Sequence, residues 1–155
     1  MKNLVLLISL LSLSGCISQK NLVQTEKEIE AERIVQSIAW ENLLFKTLCL
    51  ENTSALINTR IVDVIDDDPN YLTKEDKTYI KKNTPDKTIK WSEKLTLDFK
   101  KNCKYSMYIS YPIFYRNNSL ALVSQSRNGC GSIDIYEKKG NHWVSKKNLA
   151  TWLGC

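Results

Sequence analysis

Cys130 lies between Gly129 and Gly131 in the stretch NGCGS (128–132), so little side-chain bulk shields its sulfur. A sulfur so placed can serve as a nucleophile, a metal ligand or half of a disulfide. A catalytic thiolate needs a cationic or basic neighbour, and the chain holds one histidine, His142. Zinc favours close pairs such as C-x-x-C, whereas Cys49, Cys103, Cys130 and Cys155 are scattered along the chain. The acidic run Asp66, Asp67 and Asp68 before Pro69 suggests calcium, but Tyr71 replaces the glycine at the sixth loop position. Lys77 stands where an EF-hand places its bidentate glutamate, so the run reads as a solvated turn. The expectation is therefore no metal, no cofactor and no catalytic residue.

The beginning of the chain, MKNLVLLISLLSLSGC, decides between the remaining readings. Lys2 gives a short positive region, Leu4 to Leu13 are apolar apart from Ser9 and Ser12, and Ser14 and Gly15 lead into Cys16. That is the layout of a secretory signal peptide, and the run is too short for a permanent span of roughly 20 residues. Leu13, Ser14, Gly15 and Cys16 also match a bacterial lipobox, in which the cysteine takes a diacylglyceryl group. Residues 1–15 are thus expected to be removed, 16–24 to form a lipidated tether, and 25–155 to form one domain. The palmitate-type chains on Cys16 would make membrane lipid the first partner, since two or three acyl chains anchor stably where one does not. Ile17 rather than Asp after Cys16 favours the outer membrane over inner-membrane retention.

An exported address favours disulfides. Four cysteines remain after lipidation, and they allow three connectivities.

Net charge is +5, and loss of Lys2 with the leader lowers it by one to +4. Residues 74–104 carry ten lysines against five acids. A solvated lysine-rich surface explains that excess, and anionic lipid headgroups or an acidic partner are the alternative. Nucleic acid is not expected, because arginine, the usual reader of base edges, is scarce.

Patterning then places these residues on elements. Thr25 and Glu28 form a capping-box signature. Beyond it Ala31, Ile34, Val35, Ile38, Phe45 and Leu48 recur at helical spacing, which predicts a long helix over about 26–49. Residues 56–65 are dense in β-branched side chains and read as a strand. Thr73 and Asp76 start a short second helix that Pro85 ends. From Met107 the period becomes two, and turns at 116–119, 128–131 and 138–141 divide the rest into strands. Pro112 marks an edge or a bulge. The fold expected is α+β: a long N-terminal helix and a short second one packed on an antiparallel meander of four to five strands.

That meander suggests bridges. A first hairpin centred on Asn117 and Asn118 would place Cys130 near residue 105, which favours Cys103–Cys130 with Cys49–Cys155. The last hairpin would set Cys130 opposite residue 150, which makes Cys130–Cys155 the second choice.

The segments YLTKEDKTYIKKN, SYPIFYRNNSLALVSQSRNGCGS and YEKKGNHWV resemble a loosely defined group of small bacterial lipoproteins. The group shows a T-K-E-D helix start, an S-x-P-x-F strand, a Cys-Gly turn and a closing K-x-G-x-W hairpin. Here these are Thr73 to Asp76, Ser110 to Phe114, Cys130 with Gly131, and Lys139 to Trp143 with one extra residue. The group often carries two cysteines in its glycine-rich turn; this chain has only Cys130 there. The resemblance implies an exported, lipid-anchored fold and no catalytic residues.

The leading functional expectation is a non-enzymatic, membrane-anchored binding module whose partner is an envelope protein or a glycan. Tyr108, Tyr111 and Tyr115, with Tyr105, are its candidate partner-binding residues, since tyrosine offers rigid amphipathic contacts. An inhibitor or immunity-type lipoprotein, with Asp66 to Asp68 plugging a basic site, is the alternative. A hydrolase using Cys130 or a serine with His142 is the third.

Overall fold

The computed structural model describes residues 26–38, 48–55, 60–92, 95 and 105–154. Cys16, the leader, the tether, Phe45 and residues 56–59 lie outside them, as do Cys103 and Cys155. Residues 32–155 form one compact unit, and the described part of the other, 26–31, is helical. The architecture is α+β, with three helices among the described residues and a six-stranded mixed sheet.

Residues 26–38 are helical (α1), and its residues Ile34, Val35 and Ile38 are fully buried. The helix expected to reach residue 49 does not do so, because Leu48–Leu50 is strand β1. β1 pairs in parallel with β2, Tyr105–Ile109, matching Leu48 to Tyr105 and Leu50 to Met107. Here the demand of the sheet edge for backbone partners overrides helical spacing.

Helix α2 spans Arg60–Asp67, where a strand was expected over 56–65. Ile61 and Ile65, four residues apart, are its fully buried members. That spacing puts both on one helical face, and the face outweighs β-branched propensity. Helix α3, Lys74–Asn83, begins as expected: the Thr73 hydroxyl accepts from the Asp76 amide at 3.1 Å. The Asp76 carboxylate accepts in return from the Thr73 amide at 3.0 Å.

The other strands are β3, Ile113–Tyr115; β4, Leu120–Arg127; β5, Cys130–Lys139; and β6, His142–Trp152. The sheet order is β1-β2-β4-β5-β6, with β3 also on β4. β2 and β3 are in effect one strand broken at Ser110–Pro112, each lying along a different half of β4. Proline has no N–H for the ladder. Ser110 spans the break, since its amide donates to Ser124 O at 2.8 Å and its hydroxyl accepts from the Ser124 amide at 2.9 Å.

The two faces of the sheet differ. Ile113, Tyr115, Leu120, Leu122, Ile133 and Ile135 join Ile61, Ile65, Leu72 and Ile80 in one core. Residues directly opposite in a ladder share a face, so Gln125, Ser132, Asp134 and Tyr136 face the other way.

Candidate functional site

On that second face lies a cleft of about 400 Å³. β5 supplies Cys130, Ser132, Asp134 and Tyr136, β4 supplies Gln125 and Arg127, and β6 supplies Ser145, Asn148 and Thr151. On β6 these three recur every third residue, which a regular strand would spread over both faces. Two register shifts, at Ile133/Asp134 and Ile135/Tyr136, remove the conflict. Leu149 and Lys146 are the unmatched residues, so Thr151 faces Ser132, Asn148 faces Asp134 and Ser145 faces Tyr136. Re-aiming of this kind is what a bulge does.

Asp134 is the centre of the cleft and is 7 % exposed. Its Oδ2 accepts from Gln125 Nε2 at 3.0 Å and from the Ser132 hydroxyl. Its Oδ1 accepts from Asn148 Nδ2 at 2.7 Å. Asn148 Nδ2 also donates to Ala150 O at 3.1 Å, and Asn148 Oδ1 accepts from the Thr151 hydroxyl at 3.1 Å. All three donors to the carboxylate are neutral. A buried charge held only by neutral donors is dearer than an ion pair, because hydrogen bonds spread its charge without cancelling it.

A second polar cluster ties the helices to the first face. Asp68 Oδ2 accepts from the amides of Tyr71 and Leu72, each at 2.8 Å, and Oδ1 pairs with Lys147 Nζ at 2.7 Å. Burial pushes the Asp68 carboxyl up, but Lys147 and the two amides outweigh it and hold it below the usual range. The expected solvated turn over Asp66–Asp68 is therefore corrected. Asp66 and Asp67 end α2, and Asp68 is buried, 7 % exposed, with its carboxylate engaged by the turn that follows. It is not available as a plug for a partner's basic site. The Lys147 ammonium also lies 5.0 Å from the centre of the Tyr71 ring.

The tyrosines named from sequence do not meet. Tyr108 is 44 % exposed and pairs with Ser126, whereas Tyr115 is 3 % exposed and pairs with Leu120. Six residues of β4 separate those partners, about 20 Å of strand. Tyr111 stacks on Trp91, with ring centres 6.0 Å apart, and Tyr105 is exposed on β2. None of them lines the cleft, nor does His142, exposed at the start of β6. Among the described residues, no group of three or more His, Cys, Asp or Glu is arranged to hold a metal ion.

Cys130 does line the cleft, at 7 % exposure. The sulfurs of Cys49 and Cys130 are in disulfides and do not titrate. They cannot bridge each other: β2 and β4 stand between β1 and β5. Three strand spacings come to roughly 14 Å, beyond the about 4.4–6.8 Å between bridged Cα atoms. The hairpin centred on Asn117 and Asn118 forms in the expected register, with Tyr115 opposite Leu120, but β4 ends at Arg127 in a tight turn at Asn128 and Gly129, so the register does not carry on to bring Cys130 beside residue 105. Cys130 pairs with Arg127, and β4 separates it from β2. At its other side the two bulges advance β6, so Gly131 pairs with Trp152. Cys130 then falls opposite residue 153 rather than the expected 150, two residues short of Cys155.

Gln125, Ser132, Asp134, Asn148 and Thr151 were not singled out from the sequence. The legible signal was Ser132 and Asp134 interleaved with Ile133 and Ile135. The β6 residues had none, because their three-residue spacing depends on the bulges. No known protein family, curated protein or solved structure matches the chain.

Proposed function

We propose that the chain is a non-enzymatic binding module of a bacterial envelope. It is anchored through acylated Cys16 and presents the cleft around Asp134 to its ligand. The observation that carries this reading is the cleft itself. It is concave, within the range of about 300–1,000 Å³ typical of small-ligand sites, and its polar groups converge on one fixed carboxylate. Its hydrogen bonds hold Gln125, Ser132 and Asn148 in place before any ligand arrives, which lowers the ordering cost of binding. The lipobox supports the anchor, and Ile17 after Cys16 supports the outer membrane as its site. The resemblance to small bacterial lipoproteins points the same way. For the staples, the β5–β6 register supports Cys130–Cys155, which leaves Cys49 with Cys103.

The test uses the full chain expressed in a bacterial host. Acyl labelling is expected on wild type and lost in Cys16→Ala. A photocrosslinking residue at position 145, in the cleft, is expected to capture an envelope component that the same residue at exposed position 74 does not. Unlabelled wild type would overturn the anchor, and equal capture from both positions would overturn the cleft.

A further inference from the structure

Resting on the binding-module reading, we propose that the cleft recognises a positively charged group, an ammonium or guanidinium, seated on Asp134. The buried carboxylate meets no cation among the described residues; its partners are Gln125, Ser132 and Asn148. An ionised carboxylate offers about four lone-pair sites. Two on Oδ2 and one on Oδ1 are used, so Oδ1 keeps one for a ligand.

The direction of the surrounding protons gives the second argument. Ser132 spends its hydroxyl proton on Asp134, and Thr151 spends its own on Asn148. Both Asn148 amide protons are engaged, by Asp134 and by Ala150. Ser132, Thr151 and Asp134 therefore offer lone pairs and no protons. A ligand group seated against those three donates hydrogen bonds to them, as an ammonium or a guanidinium does; Arg127, Ser145 and Tyr136 carry the donors elsewhere in the lining. Tyr136 also lines the cleft and can flank a cation with aromatic surface. Arg127 does not fill the role, because it pairs with Cys130 while Asp134 pairs with Val123. Those rungs are four residues apart, about 13 Å along the strand.

The charge can come from a free amine or from a basic side chain of a peptide. Titrations of the oxidised protein, followed by amide chemical shifts, would use n-butylammonium, n-butylguanidinium, neutral n-butanol, N-acetylglucosamine and a capped Gly-Lys-Gly peptide. Saturable shifts at Ser132, Asp134 and Asn148 are expected with the cations and not with butanol or the sugar. Binding of the small cations without the peptide assigns a free amine; binding of the peptide assigns a basic side chain. Asp134→Asn is expected to weaken binding at least tenfold. Asn148→Lys, which tethers an ammonium opposite Asp134, is expected to stay folded by circular dichroism and to lose binding as well. No saturable cation shift in wild type, or equal binding of butanol or the sugar, would overturn the inference. Undiminished binding by a folded Asn148→Lys would do the same. If the cations fail while position 145 still captures an envelope component, the cation is wrong and the binding module stands; loss of both removes both.

Discussion

The Asp76 carboxylate holds the Arg116 guanidinium across 40 residues of sequence, with Nη2 at 2.5 Å and Nε at 3.1 and 3.2 Å from its oxygens. The same carboxylate caps α3 through the Thr73 amide. Arg116 stands first in a run of three non-glycine residues with positive φ, at 48°, 55° and 59° for Arg116, Asn117 and Asn118. Such backbone is unfavourable for arginine. The ion pair and the bond from Arg116 Nη2 to Tyr71 O, 3.2 Å, hold that turn against the start of α3. Asp76→Ala removes the cap and the ion pair together and is expected to lower unfolding free energy by roughly 2–4 kcal/mol. Denaturant titration measures it. A loss below half a kilocalorie would show the pair to be incidental.

Acid should act through the same carboxylate and through Asp68. Burial raises the Asp76 carboxyl, but hydrogen bonds from Arg116 and Thr73 outweigh it and leave it below the ordinary value of 3.8. Asp68 is lowered in the same way by Lys147 and two amides. A carboxyl whose folded value is depressed stabilises the fold above its unfolded value and loses that contribution as pH falls through the folded value. Stability is therefore expected to be flat near neutrality and to decline from about pH 4 downward. Asp68→Asn combined with Asp76→Asn should flatten that decline.

Two buried hydroxyls are expected to behave oppositely. The Tyr115 hydroxyl has no hydrogen-bond partner among the described residues, and burial, its largest influence, pushes its ionisation far up. Tyr115→Phe should leave stability unchanged or raise it. Ser110, fully buried, satisfies the Ser124 amide across the break between β2 and β3. Ser110→Ala orphans that amide and should cost about 1–3 kcal/mol. Thermal unfolding of the two variants side by side would show it.

Gly131 admits no side chain. A Cβ there would collide with the Trp152 ring and with the backbone oxygen of Gln125. The oxygen cannot rotate away, so Gly131→Ala is expected to cost about 1–3 kcal/mol. It should also disturb the cleft, where chemical shifts of Gln125 and Ser132 would report the change.

The disulfides can be read by proteolysis without reduction and mass mapping of the linked peptides. Cys130–Cys155 with Cys49–Cys103 is the expected pattern. A Cys103–Cys130 peptide would mean that the chain before β2 folds back across the end of the sheet.

Local chemistry carried much of the architecture. The Thr73 and Asp76 capping box is a contact between neighbours, so its sequence signature suffices. The turn at Asn128 and Gly129 is equally local, since φ values of 45° and 84° suit asparagine and glycine. Turn residues marked the ends of β4 and β5, whereas their alternation is only partial, because Leu120 to Val123 and Ile133 to Tyr136 are buried on both faces. Where local preference and burial disagreed, the reading failed. Residues 60–67 have strand-like composition, yet Ile61 and Ile65 fit a core only from a helix. Cys49 and its neighbours continue a helical spacing, yet they complete a parallel pair with β2.

The sequence alone determined the α+β class, the capped α3 and the order of the last strands. Each depends on residues close together in the chain or on a period that one segment displays by itself. Only the tertiary structure decided the parallel β1, the buried role of Asp68 and the convergence of Gln125, Ser132, Asn148 and Thr151 on Asp134. Those depend on which strand lies beside which and on two bulges that shift register. Register is a relation between segments, and it is set when both bury their apolar faces in one core.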